Sequence, residues 1–294
     1  MPKFRTDCTN KNRKHADLDI DITIRRPRSL ISLEIPRYWH SDGAFATHFL
    51  NAFSSTLPFG EAFFVRSVLY YQDRVISRDH LERVRGFSCQ EAQHLRVHAE
   101  HVDLLLAQGY TGLAIRNRIS ERAARWLNRR FPLLSLSMTA AFEHLTAILA
   151  HRVLSDPHLL IGKMHSDMAL LWRWHALEEI EHKAVAFEVL KQVAPGHTKR
   201  VLTMVFSTLF LSIELLDRLF YLLWKDRLLF KATTWSSGYQ FLFAGRGFLR
   251  GLSSNYLLWF RPSFHPDRID NHSLIDENTR WVNDRISNAI HLDT

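Results

Sequence analysis

The sequence predicts an all-α protein: a four-helix bundle with extra helices and an apolar C-terminal helical region. Three observations lead there. Only 11 Gly and 9 Pro occur in 294 residues, too few for the many turns of an all-β chain. Residues 87–108 and 163–194 contain neither, so nothing in them interrupts a helix. Apolar residues recur there every three to four positions, and 46% of the chain is apolar, enough to bury a substantial core.

The elements follow in order. Residues 1–34 read as a basic, mobile arm that includes Arg25-Arg26-Pro27 and has no apolar stretch of a secretory signal. Residues 35–196 hold the bundle. A helical pattern begins at Ala44 and is interrupted at Leu57-Pro58-Phe59-Gly60. Proline suits a first turn, and Ser54, Ser55 and Thr56 can cap, so helix A is expected from about Pro58 to Val75. Helix B runs from about Asp79 to Gln108, where Gly109 stops it. A connecting helix covers roughly 113–129. Helix C runs from Pro132 to before Asp156-Pro157, and helix D from after Ser166 to Ala194-Pro195-Gly196. Residues 197–270 form an apolar, aromatic helical region packed on the bundle or on a membrane, and 271–294 a polar tail. Within that region Val201 to Ile213 falls short of the roughly 18–20 residues needed to span a bilayer. Glu214, Asp217 and Arg218 then add a narrow polar stripe.

A formal charge of +8 favours anionic surfaces. No zinc-finger spacing, RNP signature or basic-region heptad accompanies it, so specific nucleic-acid binding is not expected. Two cysteines, Cys8 and Cys89, are too few for a disulfide framework and fit a reducing cytoplasm. The expected location is cytoplasmic, with peripheral attachment to the inner membrane face through the C-terminal region as an addition.

Helix B carries Glu91-Ala92-Gln93-His94 and helix D carries Glu179-Ile180-Glu181-His182. An E-x-x-H sets a carboxylate and an imidazole one turn apart on one side of a helix. With 13 Glu and 17 His, roughly one such tetrad arises by chance, so context decides. On helix B, Leu81, Val84, Phe87, Glu91, His94, His98, Val102 and Leu105 make one stripe. Helix D repeats this with Leu171, His175, Glu178, His182, Val185 and Val189, with Glu179 beside the seam. Helix A aligns Glu61 with Phe64 and Val68, and helix C aligns Glu143 with Leu136, Ala140 and Ala147.

Unpaired buried carboxylates are costly, so the four need cations or protons. Two divalent ions balance four carboxylates, and neutral imidazoles complete the shell. The proposed ligands are Glu61, Glu91, His94, Glu143, Glu179 and His182, with Glu91 and Glu179 bridging. Glu178 also lies one turn from His182; Glu179 is preferred because it reproduces the tetrad spacing. His98 and His175 share the stripes and are candidates for a further ligand or for groups that orient one. Glu178 and His98 are also the candidates for an additional acid or base. His101 and His144 read as local hydrogen-bonders, and Cys89 as a small packed residue. The order, Glu then E-x-x-H 30 residues later and again 36 residues later, is that of ferritin-like di-metal carboxylate bundles.

Several segments carry a resemblance to a known family. They are Leu57-Pro58-Phe59-Gly60-Glu61, Gln90-Glu91-Ala92-Gln93-His94 with His98, Trp174 to Lys183, and Arg261-Pro262-Ser263-Phe264-His265-Pro266. Together, over roughly residues 35–270, they resemble a bacterial family labelled "predicted metal-dependent hydrolase", itself similar to the ferritin-like superfamily. The resemblance implies a metal-dependent enzyme.

Three functions are expected in order. Carboxylate-rich sites suit iron, with manganese or zinc as alternatives, so the first is an O₂-activating di-iron oxidoreductase acting on a small, apolar substrate. The second is the family's activity, hydrolysis by a water that two metals activate. The third is a non-enzymatic helical protein docked on anionic membrane.

Overall fold

The computed structural model describes residues 22–27 and 30–291, and side chains up to residue 287. Among these residues no β-strand occurs; His40 and Met164 form an isolated bridge. The helices are α1 (Ala44–Leu69), α2 (Arg78–Ala107), α3 (Gly112–Arg130), α4 (Pro132–Ser155), α5 (Ser166–His182) and α6 (Val185–Val193). They continue as α7 (His197–Lys225), α8 (Ala232–Phe243), α9 (Leu252–Leu258) and α10 (His272–His291).

Helices α1, α2, α5 and α4 pack in a closed ring, each against the next, and make the four-helix core. α3 and α8 lean on α1, α7 lies across α1 and α4, and α10 covers α5. Gly238 allows α8 its close approach, since a Cβ there would sit 2.6 Å from the Phe45 ring of α1. Two apolar layers fill the core. One holds Leu50, Phe53, Leu57, Val97, Leu105 and Leu171, and the other Phe64, Val68, Phe87, Leu136, Val185 and Val189. On α1, α2 and the α5–α6 segment, Glu61, Glu91, His94, Glu179 and His182 fall between the layers. α4 is long and apolar enough to cross a membrane, but most of its apolar stretch is buried inside the bundle, the position of a core helix.

Two helices differ from the sequence reading. α1 runs unbroken from Ala44 through Pro58 and stops at Leu69 rather than starting at the proline. Pro58 cannot donate to the carbonyl four residues back. Here Ser55 and Thr56 are not caps: their hydroxyls donate back to the carbonyls of Ala52 and Phe53 within a continuing helix. Helix D is two helices, α5 and α6, broken at Lys183–Ala184. Lys183 is buried there and donates through Nζ to the Ile269 carbonyl at 2.5 Å and to Asn271 Oδ1 at 2.7 Å.

The starts of α2 and α4 follow local chemistry. Ser77 Oγ accepts from the His80 amide ahead of α2, and Pro132 occupies the first position of α4. Gly109, at φ +100°, turns the chain out of α2.

Residues 22–27, assigned by sequence to the arm, lie against the bundle, with Arg25 buried; residues 1–21 fall outside the described residues. The segment read as a polar tail forms α10, which buries Asn278, Val282 and Ile286. Cys89 is buried as expected but is not a free thiol, which removes the cysteine argument for a reducing compartment.

Candidate metal centre

All six residues singled out as ligands come together: five lie between the two apolar layers, and Glu143, among the α4 residues of the second layer, reaches His182. Glu91, His94, Glu179 and His182 each place one donor atom within 4.8 Å of the others, and so do Glu61, His94 and His175. Glu179 Oε1 lies between three imidazoles: 3.4 Å from His94 Nδ1, 3.4 Å from His175 Nε2 and 3.6 Å from His182 Nε2. Glu91 Oε1 is 3.2 Å from His182 Nε2 and 4.0 Å from His94 Nδ1. Glu143 Oε2 meets His182 Nδ1 at 2.9 Å.

A backbone reason underlies this convergence. In each E-x-x-H the two side chains leave the same face of a helix, and α2 and α5 are neighbours in the ring. Phe87 and Trp174 then pack edge-on against His182 and His94, with ring centroids 5.0 and 4.9 Å away, and hold both imidazoles in place.

Many of these atoms have no hydrogen-bond partner among the described residues. They are both oxygens of Glu61 and of Glu91, Glu143 Oε1, Glu179 Oε2, His94 Nδ1 and His182 Nε2. Unpartnered buried groups are rare because each costs its full desolvation energy. Eight on six interacting side chains form a donor set that could hold cations. Oxygen- and nitrogen-rich donors of this kind suit divalent transition metals.

The electrostatics agree. Burial, and then the neighbouring carboxylates, push Glu61 and Glu91 well above the usual carboxylate range. Burial pushes Glu143 up to about 7 even against the pull of His182. Glu179 goes the other way: burial would raise it, but His182, His175 and His94 together hold it well below that range. For His94 and His182 burial is likewise outweighed, by Glu178 and Glu179 and by Glu143 and Glu179 respectively, so both are raised well above an ordinary imidazole.

Glu178 sits behind His94 rather than with Glu91. Its Oε2 is 3.0 Å from His94 Nε2, and its Oε1 is 3.3 Å from the Arg25 guanidinium. A carboxylate only accepts, so His94 donates from Nε2, and this bond sets the ring so that Nδ1 faces Glu91 and Glu179. Arg25 also forks onto Glu181 at 2.8 and 3.0 Å and onto Asn283 at 2.9 Å, and Gln90 donates to Glu181 at 2.7 Å.

On the other side a chain of neutral groups leaves the centre. His175 Nδ1 is 3.2 Å from His98 Nε2, and Ser54 Oγ is 2.7 Å from both His98 Nδ1 and His101 Nδ1. Burial lowers all three imidazoles, His175 and His101 to about 3. His144 lies apart, bonded to the Asn255 carbonyl, and His265 caps a turn by accepting from the Asp267 amide. The sequence reading missed Arg25 and the bridging role of Ser54. Only the double arginine before Pro27 hinted at the first, and nothing local signalled the second.

A family model described as "predicted metal-dependent hydrolase" matches residues 23–270. The chain belongs to this family. No curated protein and no solved structure matches it. Family membership overturns the expectation of an O₂-activating oxidoreductase as the main activity. The inference from carboxylate-rich ligands to iron redox chemistry was too narrow. The same oxygen and nitrogen donors serve two-metal hydrolysis equally well, so donor type alone cannot select oxidation.

Proposed function

We propose that the protein is a two-metal-ion hydrolase whose centre is the buried Glu/His layer, in a ferritin-like arrangement of ligands on four helices. The observation that carries it is the set of unpartnered donor atoms on Glu61, Glu91, His94, Glu143, Glu179 and His182 in a chain of a metal-dependent hydrolase family. Glu61 and His94 would hold one ion, with His175 at its edge, and Glu143 and His182 the other; Glu91 and Glu179 face both groups. Ions held there supply a Lewis acid and lower the pKa of water toward neutrality.

The chain's own residues supply the rest. Glu178, held by Arg25, keeps His94 in one tautomer. A narrow apolar pocket between Leu50, Phe53, Trp172 and Phe248 ends on His175 and Glu179. At about 20 Å³ it has room for a single water, so it limits what reaches the centre. Phe248 also walls a surface cleft of about 330 Å³, and so stands between solvent and the pocket. His175, neutral at physiological pH, is held through Nδ1 by His98 and points Nε2 toward Glu179 and the centre. The site is closed on its remaining sides by the two apolar layers, which keep other water out.

The test is hydrolysis of a panel of carboxylic and phosphate esters by protein loaded with zinc, manganese or iron and by protein stripped with chelator. Cleavage that needs metal and disappears in Glu91→Ala supports the reading. Turnover that is unchanged after metal removal refutes it.

A further inference from the structure

The solvent side of α7 is apolar along almost its whole length. Leu202, Phe206, Leu209, Ile213, Leu216 and Phe220 recur at alternating spacings of four and three, and all are exposed, Leu209 by 59% and Ile213 by 66%. That leaves open about half of each of six large side chains, several hundred Å², more than scattered surface apolar residues would. The face continues onto α8. Phe220 meets Trp235 with ring centroids 5.7 Å apart, and Tyr239 and Phe243 are exposed one and two turns further along. Trp224, 58% exposed, stands in the last turn of α7, and Phe230, 92% exposed, in the turn between the helices.

The charges bordering this face are of one sign. Lys199 precedes the apolar row, and Lys225, Arg227 and Lys231 follow it, with no ion pair among the described residues. The acidic residues of the same segment are spoken for. Glu214 pairs with Arg218, Asp217 with Arg116 at 2.8 Å, and Asp226 accepts from Arg37, Tyr38, His48 and Tyr110. A second copy of the chain is therefore a poor occupant. A two-fold interface sets the same patch against itself, which brings the lysines at the ends of α7 against one another whichever way the helices run. An anionic bilayer complements both the apolar row and the cations, and exposed Trp, Tyr and Phe beside Lys and Arg match its headgroup layer.

We propose that the α7–α8 face docks the protein on anionic lipid membrane, with α7 lying in the plane of the surface. The mode is interfacial: the buried half of α7 is core, since Met204, Leu219 and Leu222 pack into the bundle.

Flotation of the full chain with vesicles tests this. Vesicles with about 30% phosphatidylserine in phosphatidylcholine should carry the protein at low salt, and raised salt should weaken binding because the attraction is screened within about 10 Å. Pure phosphatidylcholine should bind less. Lys225→Gln with Lys231→Gln should lower affinity by about 25-fold, at roughly fivefold per basic residue. Leu209→Asp with Ile213→Asp should abolish flotation with an unchanged melting temperature; if that pair fails to fold, the lysine variants decide. Protein that does not float with anionic vesicles at low salt overturns the proposal. So does a stable dimer in sedimentation that Leu209→Asp with Ile213→Asp dissociates while flotation is unaffected.

Discussion

Replacing Glu61 by Gln should act with opposite signs on the metal-free and the metal-loaded protein. Glu61 is 1% exposed, and neither oxygen has a partner among the described residues. Burial, followed by the charge of Glu91, holds its pKa well above the free value of 4.5. The sign follows from linkage. The unfolded chain ionises near pH 4.5 while the folded chain keeps the proton, so without metal the cost grows as pH rises toward the folded pKa. Each pH unit of that window is about 1.4 kcal/mol, which bounds the cost at about 4 kcal/mol at pH 7.5. Gln is neutral in both states and removes it. In a chain of this length 1 kcal/mol moves the melting midpoint by about 2 °C. Metal-free Glu61→Gln should therefore melt up to about 8 °C above the metal-free parent at pH 7.5, and about level with it at pH 4.5. With metal the variant has lost a ligand, and each tenfold loss of affinity removes about 1.4 kcal/mol of stabilisation, so it should melt below the loaded parent. Thermal scans in strong chelator and in excess manganese read both differences. A shift of the same sign in both would show that Glu61 is an ordinary buried carboxyl, and the six-residue centre would lose a member.

Two further outcomes are expected. Glu179→Gln should lose metal, whereas Glu178→Gln should keep the stoichiometry and bind about 10- to 100-fold more weakly, because it only orients His94; elemental analysis after dialysis distinguishes them, and the reverse result would make Glu178 the ligand. The metal-free protein should lose stability between pH 5.5 and 7.5. Glu91, and Glu143 at about 7, contribute stability present below 4.5 and lost as pH rises through their folded values. His94 and His182 contribute stability present below 6.5 and lost above it, while the opposite contribution of depressed Glu179 acts below pH 4.5, outside the window. Melts in chelator that rise over this range would contradict the electrostatic account.

By itself the sequence determined what depends on neighbours along the chain. The helices, their stops at Gly109 and before Pro195, and the tetrads of α2 and α5 follow from spacings of three and four residues, which put side chains on one helical face wherever that helix lies. It favoured Glu179 over Glu178 on tetrad spacing alone, with no means of orienting the helix. Adjacent residues differ by about 100° of rotation, and which of them meets Glu91 depends on how α5 is turned by its packing in the ring. Arg25 was invisible for a related reason: its partners Glu178, Glu181 and Asn283 lie 153 or more residues away, so no local pattern records the contact. Pro58 inside α1 was misread because the hydroxyl bonds and packing that tolerate it outweigh its local preference for a first turn. Whether α7's apolar residues face core or solvent was likewise a tertiary matter. The helix is apolar on both sides, and only its contact with α1 and α4 decided which half was covered and which was left for another surface.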